Sequence, residues 1–193
     1  ARMPERKIAG DEVEPYLCFT NAHDGSSGVR VCMTPIRVVC SNTLNVALAT
    51  AKRTWSMRHT ESVHERLNEA RDCLFRAEAY MDGLAEYADM AASKPLRDGE
   101  LMDILGELFP VTEKTTEREK ATIDKYKDAF MVCYFAPDIM KFRGTAWGAV
   151  NAMSDLVTHS MPHRNTKNYA ENNWSKVMSG HVLKDKMAAL CMR

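Results

Sequence analysis

Apolar residues recur at helical spacing between Thr34 and Lys52, in the stretch TPIRVVCSNTLNVALATAK. The set follows an i, i+3, i+4, i+7 pattern and comprises Ile36, Val39, Cys40, Leu44, Ala47, Leu48 and Ala51. Such a stripe is typical of a helix with one face on a core. Thr34 suits an N-cap and Pro35 suits the first helical position, where its missing N–H is not needed. The pattern therefore predicts a helix that begins at Thr34.

The same stretch also fits a strand followed by a shorter helix. Ile36, Val38 and Val39 are β-branched, which favours a strand. In that alternative, Ser41 or Asn42 would cap the shorter helix.

Upstream, two β-rich runs at residues 16–20 and 29–33 flank Asp24-Gly25. Asp-Gly between such runs is a hairpin signal, so the two runs should pair as antiparallel strands. The polar residues before them, Ala1 to Glu14, are predicted to form a loop. Downstream, Arg53 to His59 alternates large and small side chains, which predicts a short strand.

Helical patterns dominate the rest of the chain. We expect helices at 61–92, 98–109, 117–134, 146–159 and 180–190, with Thr116 and Glu119 forming a capping box and Gly144 and Thr145 opening the fourth helix. The spacing Gly144-x-x-x-Gly148 indicates close helix packing. Residues 163–175 read as an Asn-rich loop. The predicted class is α+β: a small antiparallel sheet built on the hairpin 16–33 and packed by several helices that dominate it.

Length and composition fit one domain over residues 1–193. No apolar run is long enough for a transmembrane helix, so we expect no membrane partner. The six cysteines are scattered, and none form a Cys-x-x-Cys pair. Reduced thiols in the cytoplasm of a bacterial host are the expectation. The start ARMPERKIAG predicts that an N-terminal portion of a longer protein is missing.

The net charge is zero, but the charges are unevenly distributed. Residues 61–128 hold 10 Lys and Arg against 17 Asp and Glu, while the remainder holds 16 against 9. An acidic middle between two basic ends predicts that a polyanion would meet the ends. Internal matching of the two charged regions is the alternative.

Several ordered motifs resemble the phage/plasmid-like proteins of unknown function found in bacteriophages, plasmids and bacterial genomes. They are YLCFTNAHDGSSGVRV, TPIRVVCSNTLNVAL, RHT and GTAWGAVNAMSDLVTH, and they span roughly residues 16–184. The resemblance implies work on replicating DNA or in host defence. The hairpin and helix also resemble, in architecture alone, single-strand annealing proteins of the RecT and Red-beta kind.

Basic residues accompany all three tryptophans, a mixture that suits single-stranded nucleic acid. The candidate nucleic-acid-binding residues are Lys52, Arg53, Trp55, Arg58, His59, Lys141, Arg143, Arg164, Lys167 and Trp174. The competing interpretation places the tryptophans in the core, and it is favoured for Trp147, which lies on a helix stripe. We expect Trp55→Ala to weaken DNA binding with little change in the unfolding midpoint.

A second polar set, Arg37, Asn42 and Asn45, lies within the predicted first helix, where asparagine is a poor helix former. These side chains could bond neighbouring loops, or they could contact a ligand or another subunit. Metal and cofactor chemistry is not expected, because His159 and His163 are separated by Pro162 and no other ligand spacing is usable. A cysteine nucleophile at Cys40 lacks an identifiable base.

The leading functional hypothesis is therefore a single-stranded-DNA-binding protein of phage or plasmid origin, possessing no cofactor and forming a homo-oligomer that anneals strands. An enzyme with a site around Arg37 and Asn42 is the first alternative. A structural or host-interaction protein is the second.

Overall fold

The computed structural model describes residues 1–20, 28–39, 43–44, 46–48, 54–57, 63–161 and 181–193. Four strands form one antiparallel sheet in the order of the chain: β1 (Arg6–Ile8), β2 (Asp11–Thr20), β3 (Val29–Arg37) and β4 (Thr54–Met57). The helices follow the sheet in sequence. This confirms the α+β class and its dominance by helices.

The first hairpin corrects the expectation that residues 1–14 form a loop. Ile8 and Asp11 pair across a two-residue turn in which Ala9 and Gly10 both have positive φ, 47° and 81°. Positive φ at both central positions is the geometry whose twist matches that of the flanking strands. Val13 and Leu17 alternate into the core from β2, a pattern too widely spaced among polar residues to stand out in the sequence.

The pairing of residues 16–20 with 29–33 is confirmed, with Leu17 opposite Met33. The predicted helix start at Thr34 is wrong, because β3 continues through Thr34 and Pro35 to Arg37. Pro35 lies directly opposite Pro15, at a position where neither strand needs an N–H toward the other. The two proline carbonyls accept hydrogen bonds from outside this strand pair, from Leu44 N–H and Met3 N–H.

The segment after β3 is also not helical at residues 43–44 and 46–48, so the shorter-helix alternative is not supported there. Leu44 and Val46 are nevertheless buried. Of the predicted apolar stripe, Leu44 is in the core, but Val39 and Ala47 are exposed and Ile36 and Leu48 are half-buried, so the helical periodicity was wrong for the core face as well as for the backbone.

The helices agree closely with the sequence pattern. They are α1 (Val63–Ser93), α2 (Asp98–Leu108), α3 (Glu117–Tyr134), α4 (Ala146–Asp155) and α5 (Val182–Cys191), with a 3-10 helix at Met140–Phe142 and a π-helical turn at Leu156–Ser160 after α4. The capping box is confirmed, since Thr116 and Glu119 each accept the other's backbone N–H. Thr145 Oγ1 accepts the Gly148 N–H at the start of α4.

Helix α4 is the centre of the core. Every residue from Ala146 to Ser154 is buried, and α4 packs against α1, α3 and α5. Trp147 is wholly buried, as the core interpretation predicted. A close approach occurs at Gly148, where a Cβ atom would lie 2.3 Å from the Phe142 carbonyl oxygen, but nothing lies within 4 Å of the Cβ position at Gly144, so the spacing of the two glycines does not mark a helix–helix contact.

Candidate functional site

Arg37, at the end of β3, holds a buried network of charges. Its Nε atom donates to Asp11 Oδ2 at 2.8 Å, and its Nη1 and Nη2 atoms donate to the Asp138 carboxylate and carbonyl at 3.3 and 3.2 Å. Lys141 forms an ion pair with the other oxygen of Asp11. Because the Arg37 side chain is 0% exposed, it presents no surface to a ligand or a second subunit. Its observed contacts are internal, and they join the sheet to the turn after α3.

A second buried polar cluster holds the segment that follows β3. The Lys184 ammonium on α5 donates to the carbonyl and the hydroxyl of Thr43, both at 3.1 Å. Ser154 on α4 donates to the same carbonyl at 2.6 Å. Asp185 accepts the Ala47 N–H, and the Tyr80 hydroxyl donates to the Val46 carbonyl. Side chains from α1, α4 and α5 thus replace the backbone hydrogen bonds that a helix would have supplied.

The outer surface beyond the Arg37 network carries an exposed ring beside cations. The Arg143 guanidinium lies over the Phe135 ring, 5.0 Å from its centroid. Phe135 is 53% exposed and Arg143 is exposed. Lys141 lies nearby in sequence on the same turn and is half-exposed despite its pair with Asp11. We call Phe135, Lys141 and Arg143 the ring–cation surface.

Among the described residues, Arg143 has no ion pair, so its charge is available to an anion. Tyr134 meets the Phe135 ring edge-on with centroids 5.7 Å apart, and this contact fixes the ring from the side. Met140 and Val132, which flank the surface in sequence, are also exposed. The exposed ring and its guanidinium thus form a cation–π contact at the surface.

Trp55 has a different environment from the one expected of a stacking platform. It lies opposite Val31, whose side chain is buried, and it therefore shares the core-facing side of the sheet. Trp55 is half-buried and packs against the hydrophobic core, with its indole N–H buried and lacking a hydrogen-bond partner in the described part of the chain. Truncating it would remove packing as well as any contact with a ligand.

Lys141 and Arg143 of the predicted binding set lie within the described residues, with Arg143 over the exposed Phe135 ring and Lys141 paired with Asp11. The other predicted residues lie outside the described residues and keep the status of predictions: Lys52, Arg53, Arg58, His59, Arg164, Lys167, Trp174, Asn42 and Asn45.

Sequence reasoning missed the partners of the predicted residues. Asp11 and Asp138 come from segments that carry no periodic signal, and Lys184 reads as an ordinary polar helix residue. The exposure of Phe135 was predictable from the sequence. Phe130, Cys133 and Tyr134 form the buried stripe of α3, whereas Val132 and Phe135 lie outside that stripe. A large ring outside the stripe of an amphipathic helix is a signal of exposure.

The buried thiols of Cys133 and Cys191 are unreactive, and the described part of the chain holds no cluster of metal ligands. Burial raises the pKa of Cys133 to about 11 and that of Cys191 to about 12, which leaves both thiols protonated near neutral pH. No group of three His, Cys, Asp or Glu side chains within the described ranges could hold a metal ion. No helix there is long and apolar enough to cross a membrane.

The fold and these clusters define a small α+β protein in which a four-stranded meander is locked to a helical core by buried charges. The chain belongs to a family described as a domain of unknown function, DUF932, whose model matches residues 1–178. The matched range includes all four strands and α1 to α4, and it ends before α5. No curated protein and no solved structure matches the chain.

Proposed function

We propose that the protein binds single-stranded DNA, with the ring–cation surface as a principal contact. The observation that carries the proposal is the Arg143 guanidinium lying over the exposed Phe135 ring. Nonspecific single-strand binding needs two components, a ring face for a base and a cation for the phosphate. The ring–cation surface offers the cation, and for a base it offers the part of the Phe135 ring that the guanidinium leaves uncovered.

The ion pairs beneath the ring–cation surface support the view that Phe135 and Arg143 are in position before DNA binds. Asp138 and Lys141 are tied to Arg37 and Asp11 below, so the turn that presents Phe135 and Arg143 is anchored to the sheet. A base that stacks on the exposed part of Phe135 would lie beside a guanidinium that is already in position. Little side-chain entropy is then lost on binding.

We further propose that the protein is of phage or plasmid origin and that it assembles on single strands to present them for annealing. The support is the motif resemblance and the basic ends of the chain. Annealing needs no acid–base pair, since strand pairing is driven by the bases themselves. The chemistry required of the protein is to hold phosphates and leave the base edges exposed.

Fluorescence anisotropy with a labelled oligothymidine at about 50 mM salt tests the proposal, because low salt favours phosphate contacts. Phe135→Ala should weaken binding at least about fivefold, which corresponds to the loss of about 1 kcal/mol of base stacking. Arg143→Ala should also weaken binding and should flatten the log–log salt dependence by about 0.7, the change for one phosphate contact on a single strand.

Two control variants match these changes elsewhere on the surface. Phe75→Ala removes an exposed ring from α1, and Arg76→Ala removes an exposed cation from the same helix, in the acidic middle of the chain. Both should bind as the unmodified protein does. Equal losses in the control and test variants would assign the effect to nonspecific surface changes. Absence of binding by the unmodified protein at this salt concentration would exclude the function for this chain.

A further inference from the structure

One buried tyrosine contacts both components of the ring–cation surface. Tyr134 lies at the end of α3, is 1% exposed, and stacks on the Phe130 ring with centroids 6.0 Å apart. The same Tyr134 ring meets the Phe135 ring at an interplanar angle of 81°. The Tyr134 hydroxyl oxygen accepts the Gly144 N–H at 2.9 Å, and Gly144 directly follows Arg143. Tyr134 thus contacts the exposed ring itself and the backbone next to the cation.

Gly144 is the point at which the chain turns from Arg143 toward α4. Its φ is 79°, in the left-handed region that favours glycine. The Gly144 carbonyl accepts the Leu96 N–H at 2.8 Å, so both backbone polar groups of this glycine have a partner. Without the Tyr134 hydroxyl, the Gly144 N–H would be free to turn toward water. The hydroxyl therefore fixes the backbone from which the Arg143 side chain extends.

The ion pairs beneath the ring–cation surface hold the middle of the turn rather than its ends. Asp138 and Lys141 are the two residues of the turn that form these pairs. Phe135 precedes both of them in the sequence, and Arg143 follows both. The ends of the turn are the places where the exposed ring and the free cation lie, and Tyr134 contacts both ends.

We propose that Tyr134 is a positioning residue for DNA binding, whose ring holds Phe135 and whose hydroxyl holds Arg143 through the backbone of Gly144. The inference rests on the proposed function and adds to it a residue that does not touch DNA, because Tyr134 is buried. A base and its phosphate would then meet a ring and a guanidinium whose relative position is fixed in advance. Such preorganisation raises affinity by lowering the entropy that is lost on binding.

Nuclear magnetic resonance of the DNA-free protein tests the positioning by itself. The Arg143 guanidinium lies 5.0 Å from the Phe135 ring centroid, so the ring current should shift the side-chain proton signals of Arg143. These signals are identified by their loss in Arg143→Ala. Tyr134→Phe keeps the buried ring and removes only the hydroxyl. It should move the signals toward their positions in Phe135→Ala, where the ring is absent, and unchanged signals would overturn the proposal.

A double-mutant cycle tests the consequence for DNA binding, by fluorescence anisotropy with labelled oligothymidine at about 50 mM salt. Tyr134→Phe should weaken binding about three- to tenfold, the range for one lost hydrogen bond. In the Arg143→Ala background, the same substitution should cause no further loss, because the group that the hydroxyl positions is absent. A hydroxyl that only stabilises the fold would have equal effects in the two backgrounds.

Tyr87→Phe is the matched control, since it removes a hydroxyl that donates to the Ala188 carbonyl at 3.0 Å and joins α1 to α5. It should leave both the Arg143 signals and the DNA affinity unchanged. Absence of binding by the unmodified protein would exclude the proposed function and, with it, the role of Tyr134 in binding. Binding by the unmodified protein, with no loss in Tyr134→Phe or with equal losses in the two Arg143 backgrounds, would overturn the role of Tyr134 alone.

Discussion

Arg37 shows how a residue singled out as a possible ligand contact can have an internal role. Its guanidinium has no exposed surface and meets carboxylates from β2 and from the turn after α3. Removing one partner of a buried pair is costly because the remaining charge stays desolvated. Donation from three guanidinium nitrogens to Asp11 and Asp138 also requires the planar fork of arginine rather than the point charge of lysine.

We expect Arg37→Met to lower the free energy of unfolding by about 3–5 kcal/mol, the usual cost of breaking a buried ion pair. Denaturant unfolding followed by circular dichroism measures the change. Arg193→Met is the matched control, because its pair with Glu107 is exposed on both sides and should contribute less than about 1 kcal/mol. Unchanged stability in Arg37→Met would show that the network does not hold the fold and would leave Arg37 open to a functional role.

At the scale of single residues, the sequence located the cations of the ring–cation surface but not its ring. Lys141 and Arg143 were recognised because they lie beside Phe142 and Trp147. Both of those rings are buried, and the exposed ring is Phe135, which is eight positions from Arg143. Only the turn between α3 and α4 brings them together, and no local pattern encodes that contact.

The elements were predictable where one local rule dominated. Caps, proline stops and long apolar stripes placed α1 to α5 within a few residues of their observed ends. β3 was different, because Thr34-Pro35 satisfies the local rule for a helix start. The sheet prevails there since Pro35 faces Pro15 and Arg37 must reach Asp11, and both partners are distant in sequence. Tertiary contacts overrode a local preference.

The contact between α4 and the 3-10 helix depends on one missing methyl group. A Cβ atom on Gly148 would lie 2.3 Å from a backbone oxygen, and backbone cannot rotate away as a side chain can. We expect Gly148→Ala to destabilise the protein by about 1–3 kcal/mol, as overpacking does, despite the better helix propensity of alanine. Thermal or denaturant unfolding measures this change in the free energy of unfolding.

Gly106 on α2 provides the control for this substitution. Nothing lies within 4 Å of the Cβ position at Gly106, so Gly106→Ala should gain up to about 1 kcal/mol from helix propensity alone. The two substitutions are chemically identical and should have opposite signs. A stabilising Gly148→Ala would contradict the close approach of α4 to Phe142.

At the scale of the whole molecule, part of the acidic excess in the middle of the chain lies on the exposed side of α1. Exposed acids recur every three or four residues along α1, at Glu78, Asp82, Glu86 and Asp89. They form an acidic stripe on one helix, in which Asp82 pairs with Arg6 of the same chain, whereas the excess of basic residues belongs to the segments before and after the acidic middle. One end of a neighbouring copy could meet this stripe in a head-to-tail contact, which closes into a ring or extends as a filament.

We therefore expect a homo-oligomer that salt weakens, because exposed charge pairs are screened within about 10 Å at 0.1 M salt. Sedimentation velocity at low salt and high protein concentration should show species larger than a monomer, and raising the salt should shift them toward the monomer. Glu86→Lys, in the middle of the acidic stripe, should shift the distribution in the same direction at low salt. Glu113→Lys makes the same charge change between α2 and α3, outside the stripe, and should leave the distribution as it was. A single sharp monomer peak for the unmodified protein at low salt would contradict the head-to-tail assembly. It would also leave strand annealing without the assembly it requires.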